Sequence, residues 1–309
     1  MNRVLILIAM LFSLAFSAQA QPAAGPRAFT TSDGTTLQLE VRGQGPVALF
    51  LHGGPGSGTA ALQRLMGPLI EGSFTVIWLD QRGSGRSANA ATGDYSLERQ
   101  IKDFEELRAS LGVPRWSVIA FSFGGILAQA YAGTHADAVQ SLVLANAILD
   151  LPRAMNASVE EGGKLLPAPM REQIPAQAPL PARYGMTLGM LRQAGQGHAL
   201  QYASRETQQR AAAATAGLPR GNGDFARAIF AANPGAYLKD WSPETARTTV
   251  PVLVIAGIED HAVGADAHLA WRYPDQTTVV LPGRHATYVE APQAFEAAVK
   301  AFGQKLAAR

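Results

Sequence analysis

Six short, mostly apolar runs recur along the 309-residue chain: Val47–Leu51, Thr75–Leu79, Trp116–Phe121, Val139–Ala145, Pro251–Ala256 and Thr277–Leu281. Each is too short for a core helix. Continuous apolar runs of this length suit strands covered on both faces of a parallel sheet. A seventh stretch, Thr36–Val41, alternates and fits a half-buried strand. Helical patterns lie between the runs. Ser96 opens one, with Leu97, Ile101, Phe104 and Leu107–Leu111 at helical spacing. Its Arg99, Lys102, Glu105 and Glu106 fall outside that stripe. Strand–helix alternation of this kind specifies a doubly wound, mostly parallel α/β sheet.

The alternation stops between 151 and 248. That stretch holds 9 of the chain's 19 prolines and no buried-strand run. It reads as an inserted, mainly helical lid. A helix is expected near Ala203–Ala216, and an extended segment around Pro167–Pro181. The core then occupies 28–150 and 249–309, closed by an amphipathic helix from about Pro292 to Leu306.

The first 20 residues stand apart from this core. Arg3, the apolar run Val4–Phe16 and Ser17-Ala18-Gln19-Ala20 form the three parts of a signal peptide, cut after Ala20. A membrane anchor is the alternative, but the run falls short of the roughly 20 residues that a spanning helix needs. The expected product is exported, periplasmic or secreted, with no stable membrane insertion after signal removal. Composition removes other classes. With 47% hydrophobic and 16% charged residues a sizeable core can form. The net charge of +2 comes from scattered basic residues, so no nucleic-acid partner is expected. The chain has no Cys, which excludes disulfides, thiolate metal sites and cysteine nucleophiles.

The run ending at Phe121 leads directly into Ser122-Phe123-Gly124-Gly125 and then a helical stretch. A serine at the apex of a tight strand–turn–helix is held above the sheet, beside a helix N-terminus that favours developing negative charge. Ala120 and Gly124, two residues to either side, keep the turn sterically open. An ordinary helix N-cap is the bland alternative for Ser122. A serine hydroxyl needs a base, and the base an orienting acid. In a doubly wound sheet such partners sit in loops after other strands. Asp260 follows the Pro251–Ala256 run and His285 follows Thr277–Leu281, giving the chain order Ser, Asp, His. His261 and Glu259 are the rivals for base and acid.

The loop His52-Gly53-Gly54-Pro55-Gly56 follows the Val47–Leu51 run. Acyl transfer needs two donors for the oxyanion. The N–H groups of Phe123 and Gly54 are assigned to it, with Gly53 as the alternative. Pro55 has no N–H. The loop matches neither phosphate-binding glycine pattern, and no His/carboxylate cluster has metal spacing. No cofactor or metal is called for. Asp80-Gln81-Arg82-Gly83-Ser84-Gly85-Arg86-Ser87 reads as a structural turn held by charge pairing.

Together these motifs resemble the α/β-hydrolase superfamily, and more narrowly its proline iminopeptidase branch. The narrow resemblance rests on His52–Gly56, Asp80–Ser87, the Ser122 turn, Gly257–Asp260, and Gly283–His285 with Glu290 and Pro292. It implies a Ser122–His285–Asp260 triad and a lid that contacts a small-molecule or short-peptide substrate. The turn departs from the branch, whose usual Gly-Gly-Ser-Trp-Gly is replaced here by Ala120-Phe121-Ser122-Phe123-Gly124, more like general esterases. The resemblance also implies lid carboxylates that bind a substrate amine. Between 151 and 248 there are 7 acidic residues against 9 Arg and 2 Lys. The expected activity is an exported serine hydrolase of ester or amide bonds, proline-iminopeptidase-like. The alternatives are a carboxylesterase of small apolar esters and an inactive ligand-binding module.

Overall fold

The computed structural model describes residues 21–219, 221–231 and 235–308. The expected signal peptide lies outside them. In chain order the elements are β1 (Gly25–Thr30), β2 (Thr36–Gly43), β3 (Val47–Leu51), α1 (Ala60–Ile70), β4 (Thr75–Asp80), α2 (Leu97–Ser110), β5 (Trp116–Phe121), α3 (Gly124–Thr134) and β6 (Val139–Ala145). A helical insertion follows: α4 (Leu151–Leu165), α5 (Ala168–Arg171), α6 (Leu180–Gln193), α7 (Arg205–Ala214) and α8 (Asp224–Ala231). The chain returns with β7 (Val252–Gly257), β8 (Gln276–Leu281), α9 (Thr287–Glu290) and α10 (Pro292–Ala307).

The eight strands form one sheet in the order β1-β2-β4-β3-β5-β6-β7-β8. Strand β2 runs antiparallel to β1 and to β4, and all other neighbours are parallel. The two-residue period of a strand divides its side chains between two cores. Leu49 and Leu51 of β3, Ile77 and Leu79 of β4 and Val118 and Ala120 of β5 face α2 and α3 through Phe104, Leu107, Ile126 and Leu127. Phe50, Val76, Trp78 and Ile119 face the other way, onto Met66 and Ile70 of α1 and Phe295 and Val299 of α10. Burial on both sides is why these strands read as continuous apolar runs.

Three expectations need correction. The core begins at Gly25, not 28, because β1 is an additional edge strand. Its residues are half-buried or exposed and its pattern starts with Gly25-Pro26, so the sequence carries little apolar signal there. The Pro167–Pro181 segment is not extended throughout. Pro167 and Pro179 have extended backbones but cap the starts of α5 and α6, with Pro169 and Pro181 in the first turns. A proline fits there because the first N–H groups of a helix have no partner anyway. Finally, α7 spans Arg205–Ala214, shorter than the expected Ala203–Ala216, because Ser204 accepts a hydrogen bond from the Thr207 N–H and caps it. Among the described residues no helix is long and apolar enough to cross a membrane.

Candidate active site

Five loops at the carboxyl ends of the parallel strands meet at one point. They follow β3, β5, β6, β7 and β8 and bring Gly53, Ser122, Asn146, Asp260 and His285 together. This edge of a doubly wound sheet is where ligands bind, because the loops there are free to vary while the strands fix their roots.

Ser122 is held by backbone geometry. Its φ is 54°, the left-handed region that non-glycine residues rarely adopt. The turn is closed by the Ser122 carbonyl, which accepts from the Gly125 and Ile148 N–H groups at 2.9 and 2.8 Å. Crowding decides the neighbours. A Cβ on Gly124 would lie 2.2 Å from the Leu51 carbonyl oxygen, and one on Gly53 would lie 2.6 Å from the Ser122 Cβ. Neither atom can move aside, since both belong to the sheet–turn framework.

The three predicted polar side chains form one hydrogen-bonded line. His285 Nε2 lies 3.0 Å from Ser122 Oγ, and His285 Nδ1 lies 3.0 Å from Asp260 Oδ2. All three residues are buried. Asp260 Oδ1 accepts from the Ala262 and Val263 N–H groups, each at 3.1 Å. Burial pushes the Asp260 carboxyl up, but the adjacent His285 imidazole and these hydrogen bonds outweigh it and hold its pKa below the ordinary value. The carboxylate is therefore ionised at neutral pH. It fixes the imidazole with Nδ1–H toward Asp260 and Nε2 as acceptor toward Ser122.

The rivals stand elsewhere. His261 Nε2 is 4.0 Å from Glu161 Oε2 of α4. Glu259 is 60% exposed and faces Arg284 at 3.8 Å. The N–H groups of Phe123 and Gly54 take part in no hydrogen bond between described residues. His52 orders the glycine loop: its Nε2 accepts from the Gln81 N–H at 3.2 Å, so its Nδ1–H donates to the Gly53 carbonyl at 2.9 Å. Burial lowers the His52 pKa, consistent with a neutral ring in that tautomer. The Asp80 carboxylate accepts from the Thr59 N–H and hydroxyl, both at 2.6 Å, and from the Arg86 N–H and Nε at 2.9 and 2.7 Å. That turn is structural, and it anchors the start of α1 beside the glycine loop.

Sequence reasoning missed Asn146. It directly follows β6, is buried, and has a φ of 45°. Its Nδ2 donates to Asp260 Oδ2 at 2.9 Å and to the Arg284 carbonyl at 3.3 Å. Its Oδ1 accepts from Thr287 Oγ1 at 2.6 Å. One amide thus ties the acid to both sides of the histidine. Its place after an apolar run was the available signal, the same one that marked Asp260.

The insertion reaches the same region through aromatic rings. Phe123 packs against Phe225 at 5.8 Å and Tyr237 at 5.6 Å between ring centroids.

A sequence model described as the alpha/beta hydrolase fold matches residues 46–292. Among curated proteins, the chain is 39% identical over 117 residues to a proline iminopeptidase of Arabidopsis thaliana, covering 37% of this chain and 30% of that protein. It is 38% identical over 120 residues to one of Neisseria gonorrhoeae, covering 38% of each. The matched stretch thus spans only about a third of these relatives' own length. Solved structures extend the fold likeness over nearly the whole chain. A proline iminopeptidase-related protein of Thermus thermophilus aligns over 92% of this chain and 98% of its own, with a TM-score of 0.74 and 24% identity. An esterase of Exiguobacterium antarcticum aligns over 90% and 98%, with a TM-score of 0.63 and 20% identity. With a doubly wound sheet, a strained serine turn and a family match covering most of its length, the chain belongs to the α/β-hydrolase family.

Proposed function

We propose that the protein is a serine hydrolase that cleaves ester or amide bonds through an acyl-enzyme. The line Ser122 Oγ–His285–Asp260, with 3.0 Å at both links, carries this reading. In the first half-reaction Ser122 Oγ attacks the substrate carbonyl carbon while its proton passes to His285 Nε2. The carbonyl electron pair moves onto oxygen, where the N–H groups of Phe123 and Gly54 hold it. Asp260 stays ionised and stabilises the imidazolium. Collapse of the tetrahedral intermediate expels the alcohol or amine, which takes the proton from Nε2. Water then repeats the sequence and releases the acid.

The names of the relatives make N-terminal prolyl amides one substrate class to test, and the esterase likeness makes short esters another. The insertion serves as the lid over the site, and the N-terminal 20 residues direct export. A fluorophosphonate probe tests the mechanism directly. We expect one adduct, on Ser122, formed at neutral pH and prevented by prior treatment with a small serine-directed inhibitor. Absence of the adduct, or its appearance on another residue, would favour a binding module.

Asn146 has a positioning role in this mechanism. Asn146→Leu removes the donor to Asp260 and leaves a buried acceptor with one partner fewer, an effect of about 1–3 kcal/mol. The expected result is a loss of about tenfold or more in kcat with KM little changed. An unchanged kcat would show that the backbone N–H groups suffice to hold Asp260.

A further inference from the structure

A cavity of about 250 Å³ opens beside Ser122 and His285. Its buried walls include Leu62, Phe121, Ala286 and Tyr288, and its exposed rim includes Ser57 and Gln201. Burial pushes the Tyr288 hydroxyl well above the usual phenol range, so it remains neutral. The walls are thus apolar or neutral, apart from His285 itself.

An aminopeptidase substrate carries its ammonium two bonds from the carbonyl carbon that Ser122 attacks. The charge therefore sits next to Ser122, and its counter-charge must be there too. The carboxylates around the cavity are already engaged. Asp260 lies behind the imidazole and accepts from His285, Asn146, Ala262 and Val263. Glu290, two residues after Tyr288, accepts from the Ala203 and Arg284 N–H groups at 2.6 and 2.5 Å. Asp80 is filled by Thr59 and Arg86. The seven acidic residues of the insertion are exposed or already paired: Glu160, Glu172, Glu206 and Asp240 are exposed, Glu161 pairs with Lys164 at 2.6 Å, Asp224 pairs with Arg227 at 2.9 Å and accepts from the Tyr95 hydroxyl, and Glu244 pairs with Lys239. An ammonium in this cavity loses its hydration without gaining an ion pair, which is strongly unfavourable. An apolar acyl group of similar size loses only its contact with water, which is favourable.

We infer that the substrate's acyl part is small and uncharged, as in short-chain esters, and that a free α-amine is rejected. The inference rests on the acyl-transfer reading above. Two esters of one shape test it: phenyl cyclopentanecarboxylate and phenyl prolinate, which differ by the ring ammonium. At pH 7 we expect kcat/KM for the cyclopentane ester to exceed that for the proline ester by about 100-fold or more. Raising the pH toward the amine's pKa should narrow the ratio, because the neutral amine then becomes acceptable. Equal rates, or a preference for the proline ester, would overturn the inference. So would a protein that labels at Ser122 with fluorophosphonate yet cleaves neither ester. Failure of the mechanism itself shows differently, as loss of the Ser122 adduct.

Discussion

Ser122→Ala is expected to lower kcat/KM for every cleaved substrate by about 10,000-fold or more, with the fold intact. The magnitude follows from what the hydroxyl does. In the proposed mechanism it is the atom that forms the acyl bond, and no cysteine exists to replace it. His285 then has no proton to accept, so the residual rate comes only from the oxyanion donors and substrate binding. The variant should fold. Alanine keeps the Cβ that packs against Gly53, and both residues meet the same left-handed backbone strain at φ 54°. Activity within tenfold of the parent, in protein with an unchanged circular dichroism spectrum, would remove Ser122 from the mechanism. Asp260→Asn is a companion test. It keeps the shape but favours the wrong imidazole tautomer, for a loss of about 1,000- to 10,000-fold.

These residues were legible in the sequence because each follows a strand that announces itself. Ser122 comes one residue after Phe121, Asp260 three after Gly257, and His285 four after Leu281. Strands buried on both faces leave continuous apolar runs, and a parallel sheet brings their carboxyl ends to one edge. Asn146 obeys the same rule but was not identified. A carboxylate or imidazole after a strand implies chemistry, whereas an amide acquires its meaning only from its neighbours. Here the neighbour is set by pairing: Ala145 of β6 lies opposite Ile255 of β7, and the Asn146 N–H donates to the Ile255 carbonyl at 2.7 Å. That adjacency joins residues more than a hundred positions apart.

Two elements were hidden for local reasons. Strand β1 is an edge whose residues are half-buried or exposed, so it gains little from apolar side chains. Helix α1 contains Gly67 and Pro68, residues that usually interrupt a helical pattern. Pro68 is tolerated near the end of the helix, where Met66 and Ile70 still reach the core. The glycine-rich turn after β4 reads as structural from its own charges. Its main partners lie elsewhere in the chain, and they determine how much the turn matters.

Arg82 is the residue through which that turn holds the core, and Arg82→Met is expected to destabilise the protein by about 3–5 kcal/mol. The guanidinium is fully buried. Its Nε and Nη2 donate to the two oxygens of Asp103 at 2.6 and 2.7 Å, and its Nη1 donates to Asp33 Oδ2 and the Asp94 carbonyl, both at 2.9 Å. The group therefore ties the turn to α2 and to the β1–β2 connection. Methionine fills the volume but satisfies none of these acceptors. Arg99 still bonds Asp103, through Nη2 at 2.6 Å, so the carboxylate is not left alone. Asp33 loses more. Burial raises its pKa, but the Arg82 hydrogen bond and those from Thr31 and Thr35 hold it far below the usual carboxylate range. Because the folded-state pKa is depressed, this stabilisation is present above the ordinary value of 3.8 and is lost progressively as pH falls below it. The variant's deficit should accordingly shrink in acid. Arg82 touches neither Ser122 nor His285, so the variant should retain kcat at temperatures where it remains folded. Urea titration at pH 7 and pH 3, with activity measured at pH 7 on the folded protein, checks all three expectations. A loss of less than 1 kcal/mol at pH 7 would mean that Arg99 alone can hold the network. A fall in kcat without a shift in the unfolding midpoint would place Arg82 in the reaction instead of the fold.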